Sequence, residues 1–331
     1  MAAAPLVARV HARLADGAFH SGTELARALM VSRSAVWKAA AALRELGVVV
    51  HAVRNRGYRL PSPCAPLDVA RIRAALSPQV RERLHRLEIA WSLPSTNAAL
   101  LARADPPGGR ADVLLAESQS AGRGRRGRAW LAPPGGAICL SIGWSFAQLP
   151  RDLGALGLAV GVCALRALRA HLQQAVGLKW PNDLLFERRK LGGILIELRA
   201  ESGGPTYVVI GIGVNVALGV PLLERIAATG TRATDLAAAG VDPARRNVVV
   251  AALIQAIVTG LEEFERAGLR PFIEEWRRAD ILRGEAVTVH SGETDIRGIA
   301  RGIDASGALL VETPAGLRKF VSGEVSVRVD R

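Results

Sequence analysis

Cysteine and histidine are scarce in this sequence, and their spacing argues against the common structural metal sites and disulfide frameworks. The three cysteines, Cys64, Cys139 and Cys163, are far apart and odd in number, so they form neither a disulfide framework nor a CxxC pair. The six histidines are scattered, without the HxxxH spacing of a helical metal site. We therefore expect no dedicated metal site.

Long hydrophobic runs are also missing. The most apolar stretch, Val248–Leu261, is interrupted by Gln255 and Thr259 and is shorter than the roughly 20 residues that a membrane-spanning helix needs. The N-terminal alanines lead directly to Arg9 and Arg13, which is unlike a signal peptide. We expect a cytoplasmic protein that has no membrane contact.

Basic residues outnumber acidic ones, 43 to 30, which gives a net charge of +13. Such a charge favours polyanionic partners, namely nucleic acid, nucleotides or an acidic protein surface. Half of the 331 residues are hydrophobic, so the chain is globular, and its length predicts two or three domains.

Residues 1–62 predict a winged helix-turn-helix domain. Ser21–Glu24 forms a capping box at the start of a short helix, and Ser32 can cap a second helix after a three-residue turn. Val48–Val53 and Tyr58–Leu60 then flank a turn, which is typical of a β-hairpin and predicts the wing.

The second of these helices has two different faces. Val36, Ala40 and Leu43 share one face and are predicted to be core, whereas the other face carries an exposed Trp37, which contact with a DNA groove would explain. A protein-interaction module of the same fold is the alternative, but nine basic against three acidic residues in this domain favour DNA. The residues predicted to contact DNA are Arg33, Ser34, Trp37, Lys38, Arg54 and Arg56.

A proline-rich linker, Pro61–Pro66, separates this domain from the rest. Residues 63–280 alternate strand-like and helix-like segments without a regular βαβ order, which predicts an α+β domain with a mixed sheet. A hairpin loop is expected at 201–205. Residues 281–331 are short β-runs separated by glycines, which predicts a small β-barrel.

Residues 119–130, the arginine loop, contain four arginines and three glycines. Arginine can bind phosphate oxygens in a bidentate fashion, and glycine lets backbone N–H groups approach them, so the loop is suited to an anion. Gly122, Gly124 and Gly127 match GxGxxG, but a dinucleotide-binding turn must open a helix, and prolines follow here. A disordered RNA-binding tract is the alternative, although a single copy between apolar runs favours a loop on a folded sheet.

Four clusters occur in a fixed order: Ser95-Thr96-Asn97, the arginine loop, Lys179–Asp183 with Lys190–Gly193, and Gly211–Asn215. Together they resemble the biotin–protein ligases. With the winged helix, the chain resembles the bifunctional members that also repress the biotin operon, over nearly all 331 residues. The resemblance implies that the C-terminal barrel is SH3-like.

The resemblance also implies the reaction. Biotin and ATP form biotinyl-5'-AMP, and the biotinyl group then passes to a lysine of a biotin carboxyl carrier protein domain. Fixed cations must screen the two reacting anions, and Mg²⁺ is implied as the counter-ion of ATP.

The implied site residues fall into three overlapping groups. Lys190, Arg125 and Asp183 would be catalytic. The groups implied to bind biotin are Ser95, Thr96, Asn97, Gln119, Arg123, Gly124, Arg125, Lys190, Gly193, Gly211 and Gly213. Those implied to bind ATP or the adenylate are Arg123, Arg125, Arg128, Asn182, Asp183, Lys190 and Asn215.

The family often has an aromatic residue where this chain has Cys139, and the segment 217–236, expected to cover adenine, has no tryptophan. The resemblance further implies a homodimer in the adenylate-bound state, acting on operator DNA of biotin-synthesis genes. The alternatives are a lipoate–protein ligase, a ligand-sensing repressor without ligase activity and a general RNA-binding protein.

Overall fold

The computed structural model describes residues 4–146, 149–200, 206–291, 294–321 and 325–329. The hairpin loop predicted at 201–205 lies outside the described residues. Elements in the N-terminal part confirm the winged helix-turn-helix; they are α1 (Leu6–Leu14), α2 (Gly22–Leu29), α3 (Arg33–Glu45), β1 (His51–Val53) and β2 (Gly57–Arg59).

Local side-chain hydrogen bonds set the limits of α2 and α3. Ser21 and Glu24 form the predicted capping box, and Met30 ends α2 in the left-handed region at φ 55°. Ser32 accepts a hydrogen bond from the Ala35 amide at 3.2 Å and so caps α3. The apolar face of α3 packs on α1 and α2 in a core separate from that of the rest of the chain.

The central part of the chain is built on a seven-stranded mixed sheet, which confirms the predicted α+β class. The strand order is β3-β4-β5-β9-β8-β7-β6, in which β3 and β4 are parallel and the other neighbours antiparallel. Its strands are β3 (Leu84–Leu93), β4 (Ala111–Gln119), β5 (Ala137–Phe146), β6 (Gly177–Lys179), β7 (Asp183–Phe186), β8 (Arg189–Ala200) and β9 (Thr206–Asn215).

Helices cover this sheet, and two of them, α7 and α9, are largely buried against it. The apolar helical run 243–267 is long enough to cross a membrane, but 61% of its apolar window is buried inside the protein, as expected of a core helix. The helices are α4 (Val69–Ala75), α5 (Pro78–Arg83), α6 (Thr96–Leu101), α7 (Leu156–Arg169), α8 (Val220–Ala227), α9 (Arg246–Ala267) and α10 (Ile273–Ala279).

The C-terminal part is a five-stranded antiparallel sheet of order β13-β12-β11-β10-β14. Within the described ranges no pairing joins β13 to β14, so the predicted SH3-like barrel is open there, because β14 pairs with β10 at one edge and β13 with β12 at the other. The strands are β10 (Ala286–Ser291), β11 (Thr294–Ile303), β12 (Leu309–Thr313), β13 (Gly316–Phe320) and β14 (Val325–Val329).

A buried ion pair fixes the linker to the central sheet. Arg246 of α9 lies 2.6 Å from Glu117 of β4, and both side chains are almost fully buried. Glu117 also accepts a hydrogen bond from the Leu67 amide, and Arg246 donates to the Ala65 carbonyl oxygen at 3.4 Å. The chain that leaves the winged helix is therefore attached to the sheet and is not a free tether.

Candidate active site

One row of residues runs across five strands of the central sheet and forms the floor of a cavity. Strand register pairs Cys139 with Gly213, Gly213 with Gly193, Gly193 with Asp183, and Asp183 with Lys179. Paired residues point to the same face of a sheet, and all five line the cavity. The two glycines leave the middle of the floor flat. Burial raises the pKa of the Cys139 thiol to about 12, so this end of the floor carries no thiolate charge.

Hydrogen bonds fix the wall at the start of α6. Ser95 caps this helix, and Gln119 Oε1 accepts from the Thr96 amide at 2.8 Å and from its hydroxyl at 3.1 Å. Ser141 Oγ lies 2.7 Å from Thr96 Oγ1 and 2.6 Å from Asn97 Oδ1. Because these polar groups hold one another in place, the wall presents a preorganised set of donors and acceptors.

The arginine loop forms a small closed turn above this floor. The Gly124 amide donates to the Arg128 carbonyl oxygen at 2.7 Å, and the Trp130 amide donates to the Gly122 carbonyl oxygen at 2.8 Å. The Trp130 ring packs against Gly213, where a Cβ atom would overlap it. Irregular chain, a turn at residues 134–136 and then β5 follow the loop, so the GxGxxG match does not open an α-helix, as predicted.

Lys190 and Asp183 form a partly buried ion pair on the floor. Lys190 Nζ lies 2.7 Å from Asp183 Oδ1, and the two side chains are 24% and 21% exposed. Partial burial lowers the pKa of the nearby Arg125 guanidinium, and the Asp183 charge opposes that shift. A carboxylate, an ammonium and a guanidinium therefore face the same space.

Two asparagines donate side-chain hydrogen bonds to backbone carbonyl oxygens around the cavity. Asn182 Nδ2 donates to the Ile194 carbonyl oxygen at 2.6 Å and so joins the start of β7 to β8. Asn215 Nδ2 donates to the carbonyl oxygens of Lys190 at 3.3 Å and Thr234 at 2.8 Å. Both residues also line the cavity.

The floor, the wall at the start of α6 and the arginine loop border one open cavity of about 1660 Å³. Every residue that the sequence implied for biotin, ATP or catalysis lies on its wall. They are Ser95, Thr96, Asn97, Gln119, Arg123, Gly124, Arg125, Arg128, Asn182, Asp183, Lys190, Gly193, Gly211, Gly213 and Asn215.

Sequence reasoning missed two parts of this site. Ser141 joins the hydrogen-bond network, and Glu197 binds both Asn97 and Arg123. Strand alternation could have found Glu197, because it lies on the same face of β8 as Gly193. Residues 226–233, except 228, form a further wall of the cavity and lie within the segment 217–236 that was expected to cover adenine.

The residues present fit Mg²⁺ only in a limited way. In the part of the chain that the structure describes, no group of three or more His, Cys, Asp or Glu side chains could hold a metal ion. Asp183 is a single carboxylate on the cavity floor. Mg²⁺ commonly binds through one or two carboxylates together with substrate phosphates, and Asp183 fits that arrangement.

The predicted DNA-contacting residues are all exposed on the winged helix. The apolar face of α3 is buried, whereas Trp37 on the other face is 60% exposed. The Arg56 guanidinium lies 4.0 Å from the centre of the Phe19 ring, so it stacks on this ring. The other five, all exposed as well, are Arg33, Ser34, Trp37, Lys38 and Arg54.

Comparisons with known proteins cover all three parts of the chain. Residues 93–215 match the Biotin/lipoate A/B protein ligase family, residues 283–328 match the biotin protein ligase C terminal domain, and residues 9–59 match an HTH domain.

Relatives are similar over almost the whole length. The chain is 38% identical to the bifunctional ligase/repressor BirA of Salmonella typhimurium over 95% of both chains. It is 37% identical to the Escherichia coli BirA over 96% of this chain and 95% of that one. The structure of the Aquifex aeolicus biotin protein ligase in complex with biotin and ATP superposes with a TM-score of 0.62 at 30% identity, covering 74% of this chain and 100% of that one. The chain therefore belongs to the biotin protein ligase family, and its winged helix places it with the bifunctional ligase/repressors.

Proposed function

We propose that this protein joins biotin to ATP in the cavity and transfers the biotinyl group to a lysine of a biotin carboxyl carrier protein domain. The observation that carries the proposal is the meeting of the Lys190–Asp183 pair, the arginine loop and the hydrogen-bonding wall of Ser95 to Asn97 on one cavity.

In the first step, an oxygen of the biotin carboxylate attacks the α-phosphorus of ATP. The bond from this phosphorus to the bridging oxygen breaks, and pyrophosphate leaves. Lys190 lies between the two anions and screens their repulsion, while Arg123, Arg125 and Arg128 bind the phosphates and close over the product. Thr96, Asn97 and Gln119 orient the biotin ring system, and Ser95 caps the helix that carries them.

In the second step, the amine of the acceptor lysine attacks the acyl carbon of biotinyl-5'-AMP. The bond from that carbon to the phosphate oxygen breaks, AMP leaves and a proton is released. Water would hydrolyse the adenylate, so a closed arginine loop also protects it. Asp183 would hold Mg²⁺ together with the ATP phosphates, and the ion would neutralise phosphate charge there.

Biotin is favoured over lipoate because the similar proteins named above are biotin ligases, although the matched central family includes lipoate ligases. A repressor without ligase activity is not favoured either, because Lys190 and Asp183 are both in place on the cavity floor. The domain limits that we propose are 1–62, 63–280 and 281–331.

We further propose that the adenylate-bound protein forms a homodimer and represses biotin-synthesis genes from operator DNA. The exposed basic residues of the winged helix support DNA binding, because they can contact phosphates. A homodimer presents two such domains to two half-sites, which gives a specificity that one domain lacks. Since ATP, carrier domain and DNA meet in the cytoplasm, we place the protein there.

The decisive experiment incubates the protein with ATP, labelled biotin and a purified carrier domain. Label on the carrier, with release of pyrophosphate and AMP, is expected. Lipoate in place of biotin should give no modified carrier. Transfer of lipoate but not of biotin would overturn the proposal, and so would the absence of any modification.

A further inference from the structure

Glu197 is a carboxylate that stands behind the cavity wall and binds two residues of that wall. It lies on β8, and its side chain is 25% exposed. Its Oε2 accepts a hydrogen bond from Asn97 Nδ2 at 2.9 Å. Arg123 NH2 lies 3.1 Å from Oε1 and 3.4 Å from Oε2. One side chain thus joins the start of α6 to the arginine loop.

The contact with Asn97 determines which way its side-chain amide points. An ionised carboxylate can only accept hydrogen bonds, so the NH₂ group of Asn97 must face Glu197. This group also donates to the Leu195 carbonyl oxygen at 3.1 Å. Asn97 Oδ1 then faces Ser141, whose hydroxyl donates to it at 2.6 Å. Glu197 and the Leu195 carbonyl oxygen, both acceptors, therefore fix the orientation of the Asn97 amide together.

The contact with Arg123 holds the arginine loop near the wall before any ligand binds. Arg123 is paired with Ala129 across the loop, and its side chain is 47% exposed. An ion pair at this place restricts the loop. A loop that is already restricted loses less conformational entropy when a ligand orders it, and preorganisation of this kind strengthens binding.

We propose that Glu197 is a positioning residue that couples the arginine loop to the biotin-binding wall. It orients Asn97 and restrains Arg123 with the same carboxylate. The biotin-binding wall and the arginine loop therefore keep fixed positions relative to each other. This inference rests on the proposed function for its effect on biotin, but its effect on the ligand-free loop does not depend on which reaction is catalysed.

The test uses Glu197→Gln in the full-length protein. The new amide oxygen can still accept from Asn97, but the charge that restrains Arg123 is gone. The KM for biotin should rise about tenfold, as expected for losing a charged hydrogen bond, while kcat stays within about twofold. The Gly124 and Trp130 amides, which are hydrogen-bonded within the loop, should exchange with solvent about tenfold faster in the ligand-free variant.

Glu88→Gln is the matched control. Glu88 pairs with Arg103 at 3.0 Å, is 45% exposed and lies outside the cavity wall. Its loss should change neither KM nor the exchange of the loop amides. A decrease of kcat and of the unfolding temperature in Glu197→Gln, with KM unchanged, would mean a merely structural role and would overturn the proposal.

A double-mutant cycle with Arg123→Ala tests the coupling itself. If Glu197 acts through Arg123, Glu197→Gln should not accelerate loop exchange any further in the Arg123→Ala background. Additive effects would overturn the proposal. An inactive wild-type protein would count against the proposed function alone, because exchange in the ligand-free loop still supports or rejects the role of Glu197.

Discussion

The ammonium of Lys190 lies 2.7 Å from the carboxylate of Asp183, which belongs to the row of residues that crosses the central sheet. Each of the two charges is partly screened by the other. We therefore propose that the pair keeps a cation in place for a reaction between two anions.

Lys190→Ala should stop formation of the adenylate while the fold stays intact, because this side chain is not part of the core. Removal of such a contact costs on the order of 3 kcal/mol of transition-state stabilisation, or about a hundredfold in rate. Pyrophosphate release measures the effect. Lys319→Ala is the matched control, because Lys319 pairs with Asp304 at 3.0 Å on the C-terminal sheet, away from the cavity. A rate within tenfold of wild type would remove Lys190 from the mechanism.

Arg125→Gly should weaken retention of the adenylate, because Arg125 lies on the arginine loop close to Asp183 and we propose that this loop closes over the intermediate. Free adenylate would escape and label lysines of bystander proteins, which a blot for biotin detects. Arg54→Gly removes an exposed turn arginine of the winged helix and should not increase such labelling. If Arg125→Gly releases no more adenylate than wild type, the arginine loop does not retain the intermediate.

Glu117→Gln should destabilise the protein, because it leaves Arg246 buried without its counter-charge. The expected loss is about 3 kcal/mol of unfolding free energy, measured by urea denaturation at pH 7. Glu262→Gln, which breaks the more exposed pair with Arg83, should cost less than about 1 kcal/mol. Equal effects of the two variants would contradict a special role of the buried pair.

The same pair predicts how stability depends on pH. Burial by itself would raise the pKa of Glu117, but the Arg246 charge and the hydrogen bond from the Leu67 amide lower it below its ordinary value of 4.5. A carboxyl with a lowered pKa in the folded state stabilises above the unfolded value, and this stabilisation is lost as the pH falls through the folded value. Wild type should therefore lose stability below about pH 4.5 more steeply than Glu117→Gln.

Arg56→Ala should weaken DNA binding without affecting the ligase reaction, because Arg56 is exposed on the wing and does not line the cavity. Loss of one phosphate contact should reduce the slope of the logarithm of the binding constant against the logarithm of the salt concentration by about one unit per monomer. Phe19→Leu removes the ring on which Arg56 stacks but keeps the charge, so affinity should fall with the slope unchanged. The measurement is a salt titration with DNA upstream of biotin-synthesis genes, in the presence of biotin and ATP. An unchanged slope in Arg56→Ala would exclude Arg56 as a phosphate contact.

The sequence by itself determined the features that depend on neighbouring residues. The capping box at Ser21 and the cap at Ser32 set the starts of α2 and α3, since these hydrogen bonds span only three residues. The glycines and arginines of residues 119–130 already indicated an anion-binding loop. The order of the four motif clusters was enough to identify the family and the residues that line the cavity.

Tertiary structure alone decided what these residues contact. Glu197 and Arg123 are 74 positions apart, and only the pairing of β8 with β9 and of β9 with β5 brings that carboxylate and Ser141 to the same wall as Asn97. Asn182 and Asn215 line the cavity, as the sequence implied, and only the structure shows that their amides also hold backbone carbonyl groups. The edges of the C-terminal sheet likewise depend on which strands pair. Strand pairing is a long-range interaction between segments that local sequence leaves free to combine in several ways, so it is settled only when the whole core packs.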